Sequence, residues 1–198
     1  MYKIAISGKA NTGKNTLSKM LVTELARKIK APILLTEYMA FADPIKKMIG
    51  TMFPELPRKY LYGSSKWRNE IIPGAFKDGK PLTVRQLLLD LGTGVGRSYI
   101  DTVWLDNFDY RLKKIKRKQV VVVTDVRFRN EFEHLKNKGF YQIRLYRETG
   151  QPTINHISET NQNSIADSEF DYVIHNDKTL DDLKREVIDN ILPNLKDI

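Results

Sequence analysis

Gly8-Lys9-Ala10-Asn11-Thr12-Gly13-Lys14-Asn15-Thr16 fits the pattern G-x-x-x-x-G-K, with a short apolar run before it and a helical period after it. That spacing suits a phosphate chain. Glycines at both ends let the backbone wrap an oxyanion. The loop N–H groups then point inward, and the N-terminus of the next helix adds positive potential. Lys14 would reach the terminal phosphates as a point charge. The departure is Asn15, where Ser or Thr normally offers a hydroxyl to magnesium. The Asn15 amide oxygen or the Thr16 hydroxyl could take that place, and the choice stays open. A glycine-rich turn that holds a lysine by chance is the weaker alternative.

Asp125 is the second chemical signal, directly after Val120-Val121-Val122-Val123-Thr124. A carboxylate at the end of a central strand is placed to hold magnesium or its water. A cap on the next helix is a compatible alternative. Arg127 follows, with a fork that matches phosphate geometry. A salt bridge to Glu131 or Glu133 is its alternative, and for Arg129 that alternative is favoured.

The elements that must position these groups alternate short β-branched runs with longer amphipathic segments. Strands are expected at Tyr2–Ser7, Ile33–Glu37, Gln119–Thr124, Phe140–Tyr146 and Phe170–His175. Helices are expected at Lys14–Lys30, Phe41–Phe53, Thr83–Leu91, Asp101–Lys118, Arg129–Lys138 and Thr179–Leu192. The alternation predicts an α/β fold on a parallel sheet with right-handed crossovers. Residues 54–82 and 147–168 do not fit it. Both could be moving lobes over a site at the strands' C-terminal ends.

With 198 residues, one domain can bury a core without a disulfide or structural metal. Cysteine is absent, which excludes disulfides and thiolate zinc sites. Three histidines argue against a structural metal. The net charge of +9 invites a polyanionic partner and excludes an acidic disordered chain. The longest apolar runs are about four residues, far short of the roughly 20 needed to span a membrane. The N-terminal stretch reads as a strand, not a leader, so a cytoplasmic protein is expected.

Several blocks in order resemble the bacteriophage deoxynucleoside monophosphate kinases. They are Phe41-Ala42-Asp43-Pro44-Ile45-Lys46, the stretch from Arg85 to Arg97, Trp104, Thr124–Glu131, and His156-Ile157-Ser158-Glu159 ahead of Phe170–Asn176. That family tends to carry GKDT in the loop, of which Lys14-Asn15-Thr16 is a neutral variant. The resemblance implies a three-layer P-loop NTP hydrolase or nucleoside monophosphate kinase fold, with a five-stranded parallel core. It implies a single kinase domain over 1–198, with an acceptor-binding insertion near 54–100 and a lid near 147–168. It also implies ATP as phosphoryl donor, magnesium as cofactor, and a deoxynucleoside monophosphate as acceptor, in the host cytoplasm if phage-encoded. A homodimer is among the assemblies considered.

Roles follow from that resemblance. Lys14, Asp125, Arg127 and Arg147 are the expected catalytic groups, and Gly8–Thr16 the donor site. Asn15, Thr16 and Asp125 are the expected metal contacts. Asp43, Lys46, Arg85, Arg97 and Trp104 are the expected acceptor contacts. An N-cap is the alternative for Asp43. Arg97 is preferred over Lys46 and Arg85 because flexible glycines precede it, with an ordinary helix-end cation as its alternative. Arg147 has a better claim than Arg144, which could equally face solvent. Tyr38, Phe41, Trp67, Tyr99 and Trp104 could stack on a base, though core packing is the alternative for most. His156, Ser158 and Glu159 invite a triad reading, rejected because they are adjacent in one polar loop. Arg111–Lys118 (RLKKIKRK) could bind nucleic acid, but a solvated helix end is the favoured reading. The competing functions are a kinase of dephospho-coenzyme A or phosphomevalonate type, a nucleotide-dependent nucleic-acid binder, and a binding-only relic. A GTPase is disfavoured, since no N/T-K-x-D motif is present.

Overall fold

The computed structural model describes residues 1–116, 118–148 and 161–196. In chain order the elements are β1 (Tyr2–Ser7), α1 (Lys14–Lys28), β2 (Thr36–Met39), α2 (Asp43–Met52), α3 (Arg58–Tyr62), β3 (Ile71–Lys77), β4 (Lys80–Thr83), α4 (Val84–Leu89), α5 (Val103–Lys114), β5 (Val120–Val126), α6 (Arg129–Asn137), β6 (Tyr141–Tyr146), β7 (Tyr172–His175) and α7 (Leu180–Arg185). Wider π-turns continue α4 over Asp90–Arg97 and α7 over Glu186–Ile191. The chain divides into two units. One is formed by Met1–Ala40 with Ile115–Ile198, the other by Phe41–Lys114.

The first unit holds a five-stranded sheet in the order β2-β5-β1-β6-β7, parallel throughout. This is the α/β core that the alternation predicts. Val120 to Val123 are wholly buried, as suits an unbroken apolar run in a parallel strand covered on both faces. Ile4, Ile6, Val120, Val122, Ile143 and Leu145 pack with Leu17, Leu21 and Leu25 of α1 and with Leu183, Val187 and Ile191 of the C-terminal helix. The two-residue period of the strands sends Ser7, Gln142 and Arg144 to the other face. Phe132 of α6 is buried and meets Phe170 with ring centroids 4.7 Å apart. Among the described residues no helix is long and apolar enough to cross a membrane.

The second unit packs α2, α4 and α5 around Phe41, Ile45, Ile49, Val84, Leu87 and Phe108, all buried. The rings of Phe41 and Phe108 lie 4.7 Å apart. Residues 58–82, which the helix and strand periods leave unassigned, form α3, a 3-10 turn over Ser65–Asn69, and a hairpin of β3 with β4. Asp78 and Gly79 link the hairpin with positive φ of 52° and 73°, the backbone that a two-residue Asp-Gly turn provides. The stretch 54–100, expected as an acceptor-binding insertion, falls inside this longer unit.

Three further expectations shift. The second strand lies at Thr36–Met39, not Ile33–Glu37, and pairs Thr36 with Val120. Ile33 and Leu35 of the apolar run are exposed, so apolar composition alone misplaced this edge strand. The Gly92–Gly96 cluster is no flexible linker, because the helix runs through it. Trp104 supplies the reason: its buried indole N–H donates to the Gly92 carbonyl at 2.8 Å. Arg144 does not face solvent and is 5% exposed. Most of the expected lid, residues 149–160, lies outside the described residues, and His156, Ser158 and Glu159 lie there too.

Candidate active site

The loop Gly8–Lys14 leaves the C-terminal end of β1, where Ser7 is in register with Val126 of β5 and with Arg144 of β6. The Ser7 hydroxyl donates to the Val126 carbonyl at 3.1 Å, which ties loop and strand end together. Asn11 and Gly13 take positive φ of 63° and 101°, and these kinks bend the loop back on itself. The Thr12 hydroxyl donates to the Lys9 carbonyl at 3.0 Å. Lys14 Nζ curls over the loop to donate to the carbonyls of Gly8 at 2.7 Å and Lys9 at 2.5 Å. Gly13 is the N-cap of α1, with no side-chain cap and no acidic residue in the first turn. The positive end of the helix dipole at this terminus favours an anion.

The same edge of the sheet carries three more predicted groups. Asp125 stands one residue before Val126 near the end of β5, and Arg127 one residue after it. Arg147 follows β6 and lines a cleft of about 250 Å³ with Gly8, Lys9, Thr12, Tyr146 and Gln162. Asn15 and Thr16 are exposed in the first turn of α1. Among the described residues no group of three His, Cys, Asp or Glu side chains gathers to hold a metal.

Below the cleft, Arg144 fixes one wall. Its guanidinium donates to the carbonyls of Ile165 at 2.5 Å and Gln162 at 2.7 Å, and to Asp167 at 3.0 Å. It lies 5.0 Å from the ring centres of both Tyr146 and Phe170. Tyr146 donates its hydroxyl to Asp167 at 2.7 Å and stacks on His175 at 5.2 Å. Burial, then this bond, raises the Tyr146 phenol above its ordinary value of 10.0. Arg129 adds a second clamp, forking onto Glu169 at 2.8 and 2.7 Å. The Ala166 N–H, then Arg129, holds the Glu169 carboxyl below its ordinary 4.5.

In the second unit, Asp43 opens α2 and Ala42 is its N-cap, with no side-chain cap bond. The carboxylate instead takes two cations, Lys46 at 3.3 Å and Arg111 at 3.1 Å. Lys46 and Arg58 both lie over the Tyr62 ring, at 5.4 and 4.5 Å.

A family model described as deoxynucleotide monophosphate kinase matches residues 58–187. The chain belongs to this family. It is thus a nucleotide kinase, as the ordered blocks imply. The match begins beyond the phosphate loop, whose assignment rests on its own geometry. The kinase is 27% identical over 199 residues to a protein of Acanthamoeba polyphaga mimivirus named "Putative deoxynucleotide monophosphate kinase", with 95% of each chain covered. It is also similar to a gluconokinase structure from Sinorhizobium meliloti 1021, with 18% identity, a TM-score of 0.44, and 94% of this chain and 89% of that one covered.

The kinase thus groups Gly8–Thr16, Asp125, Arg127 and Arg147 at one sheet edge, and Asp43 with Lys46 elsewhere. Arg85 donates to Asn69 at 2.8 Å, Arg97 closes the π-turn after α4, and Trp104 is buried. Arg127 and Phe128 both donate their backbone N–H to Glu131, at 2.8 and 3.1 Å, so that carboxylate caps α6. Sequence reasoning placed Arg111 in a solvated basic helix end. Its partner Asp43 is 68 residues away, and no local pattern signals such a pair.

Proposed function

We propose that this kinase transfers the γ-phosphoryl group of ATP to a deoxynucleoside monophosphate, giving a diphosphate for DNA precursor synthesis. An oxygen of the acceptor phosphate forms the new bond to the γ-phosphorus. The bond from that phosphorus to the β–γ bridging oxygen breaks, and ADP leaves. One observation carries the reading: Lys14 folded over the carbonyls of Gly8 and Lys9 at the uncapped start of α1. Phosphate oxygens would take over the Lys14 ammonium, and the loop N–H groups would hold the β- and γ-phosphates. Arg147, exposed at the rim of the adjoining cleft, would neutralise charge on the transferring group. Arg127 would do the same from the end of β5.

The residues present fit magnesium. That ion keeps several waters and binds through one or two protein oxygens plus substrate phosphates. Asn15, Thr16 and Asp125 offer such a sparse oxygen set and would hold it. When bound, magnesium would supply positive charge that offsets the phosphates' negative charge. The Asp43–Lys46–Arg111 cluster is the proposed acceptor subsite. Asp43 would hold the two cations in place for the acceptor phosphate, while Arg85, Arg97 and Trp104 support that unit.

The test is a panel of four deoxynucleoside and four ribonucleoside monophosphates with ATP and magnesium, followed by diphosphate formation. Conversion of at least one deoxynucleotide supports the proposal. Conversion of none, with turnover of dephospho-coenzyme A or phosphomevalonate instead, rejects it.

A further inference from the structure

Asn176 follows directly after β7, yet it touches the phosphate loop 164 residues away. Its buried Nδ2 donates to the Thr12 carbonyl at 2.9 Å. Its own N–H donates to the Tyr146 carbonyl at 2.8 Å, so the residue is itself fixed to the sheet. Only the hydrogen-bearing end of an amide can face a carbonyl. The Thr12 carbonyl and the Gly13 N–H belong to one peptide plane, and no cis bond occurs among the described residues. In a trans peptide those two groups point in opposite directions. Holding the carbonyl on the side of Asn176 therefore aims the Gly13 N–H to the opposite side.

That peptide needs an outside hold. Gly13 takes φ 101°, and glycine moves between backbone wells more readily than any other residue. The Thr12 hydroxyl is spent on Lys9. The fit is close: a Cβ on Gly13 would lie 2.7 Å from Asn176 Nδ2.

We propose that Asn176 is a positioning residue of the phosphate loop. Its side-chain amide sets the Thr12–Gly13 peptide so that the Gly13 N–H faces the bound phosphates. This rests on the reading of Gly8–Thr16 as the donor site. Asn176 acts through the loop backbone and not on the reacting atoms.

The experiment is calorimetric titration of the full chain with ATP plus magnesium, and separately with inorganic tripolyphosphate. Wild type, Asn176→Ala and Asn176→Asp are compared, with thermal midpoints to confirm folding. Asn176→Ala weakens both ligands about tenfold, the loss of one buried hydrogen bond. Asn176→Asp nearly keeps the volume but sets an oxygen against the Thr12 carbonyl, and it loses at least as much. The Michaelis constant for the monophosphate acceptor stays at its wild-type value. Wild-type affinity in Asn176→Asp overturns the proposal, because filling space would then be enough. A loss for ATP without a loss for tripolyphosphate also overturns it, since the effect would lie at the nucleoside end. Wild-type protein that binds neither ligand overturns the donor-site reading, and this proposal with it.

Discussion

Replacing Arg144 by Met isolates the anchor beneath the cleft. Arg144 is 5% exposed, and its two strongest bonds go to buried carbonyls, those of Ile165 and Gln162. Each charge-assisted bond of this kind contributes about 1.5–3 kcal/mol, and the carbonyls left behind lose their partner. The pair with Asp167, whose side chain is 52% exposed, is counted as contributing nothing. Methionine refills part of the volume and recovers some packing. Taking the lower figure for both bonds, Arg144→Met costs about 3 kcal/mol. For a chain of this size that lowers the thermal midpoint by about 6–12 °C. Differential scanning calorimetry measures the shift, and limited proteolysis between Gln162 and Glu169 should quicken in parallel. Arg144→Lys keeps the charge but loses the fork, and falls between the two. A midpoint for Arg144→Met within about 2 °C of wild type would refute the reasoning. The segment would then be held by Arg129 and Glu169 without Arg144.

Gly96→Ala sets a Cβ 2.3 Å from a ring carbon of Trp104, so the indole must move. We expect a stability loss of about 1–3 kcal/mol, seen in urea titrations followed by tryptophan fluorescence. Arg111→Ala removes one of the two cations that Asp43 holds and keeps Lys46. The acceptor KM should rise about tenfold with the ATP KM unchanged; equal shifts in both would move Arg111 out of the acceptor subsite. Tyr172 is pushed up to about 12 from 10.0 by burial, then by its bond to Glu186. A raised folded value favours the protonated phenol, so this contribution is complete below pH 10 and lost as pH climbs towards 12. Tyr172→Phe should therefore flatten the alkaline limb of a stability-against-pH curve; an unchanged limb contradicts the assignment.

The parallel sheet was legible because its strands carry their signal locally. Val120–Val123 can only be a covered strand, and the glycines and Lys14 of the loop sit at fixed spacing between strand and helix. Both signals survive without knowledge of what packs against them. The edge strand was misplaced because Ile33 and Leu35 are apolar yet exposed, and pairing with β5 decides the register instead. Trp104 reads as a stacking candidate in the sequence. Its bond to Gly92 and its contact with Gly96 depend on a π-turn that no propensity signals. Arg144 lies within β6, which is buried on both faces, whereas Arg147 follows the strand's end and is exposed. Asp43 with Arg111, and Thr12 with Asn176, are distant in sequence and come together only through the fold.

The central claim is that Gly8–Thr16 holds the donor phosphates and that Lys14 acts on the transferred group. Single-turnover transfer from γ-labelled ATP to a deoxynucleoside monophosphate, in wild type and Lys14→Ala, tests it most directly. We predict a rate about 10²- to 10³-fold lower in the variant, with the thermal midpoint unchanged. Equal transfer rates in the two proteins would contradict the account.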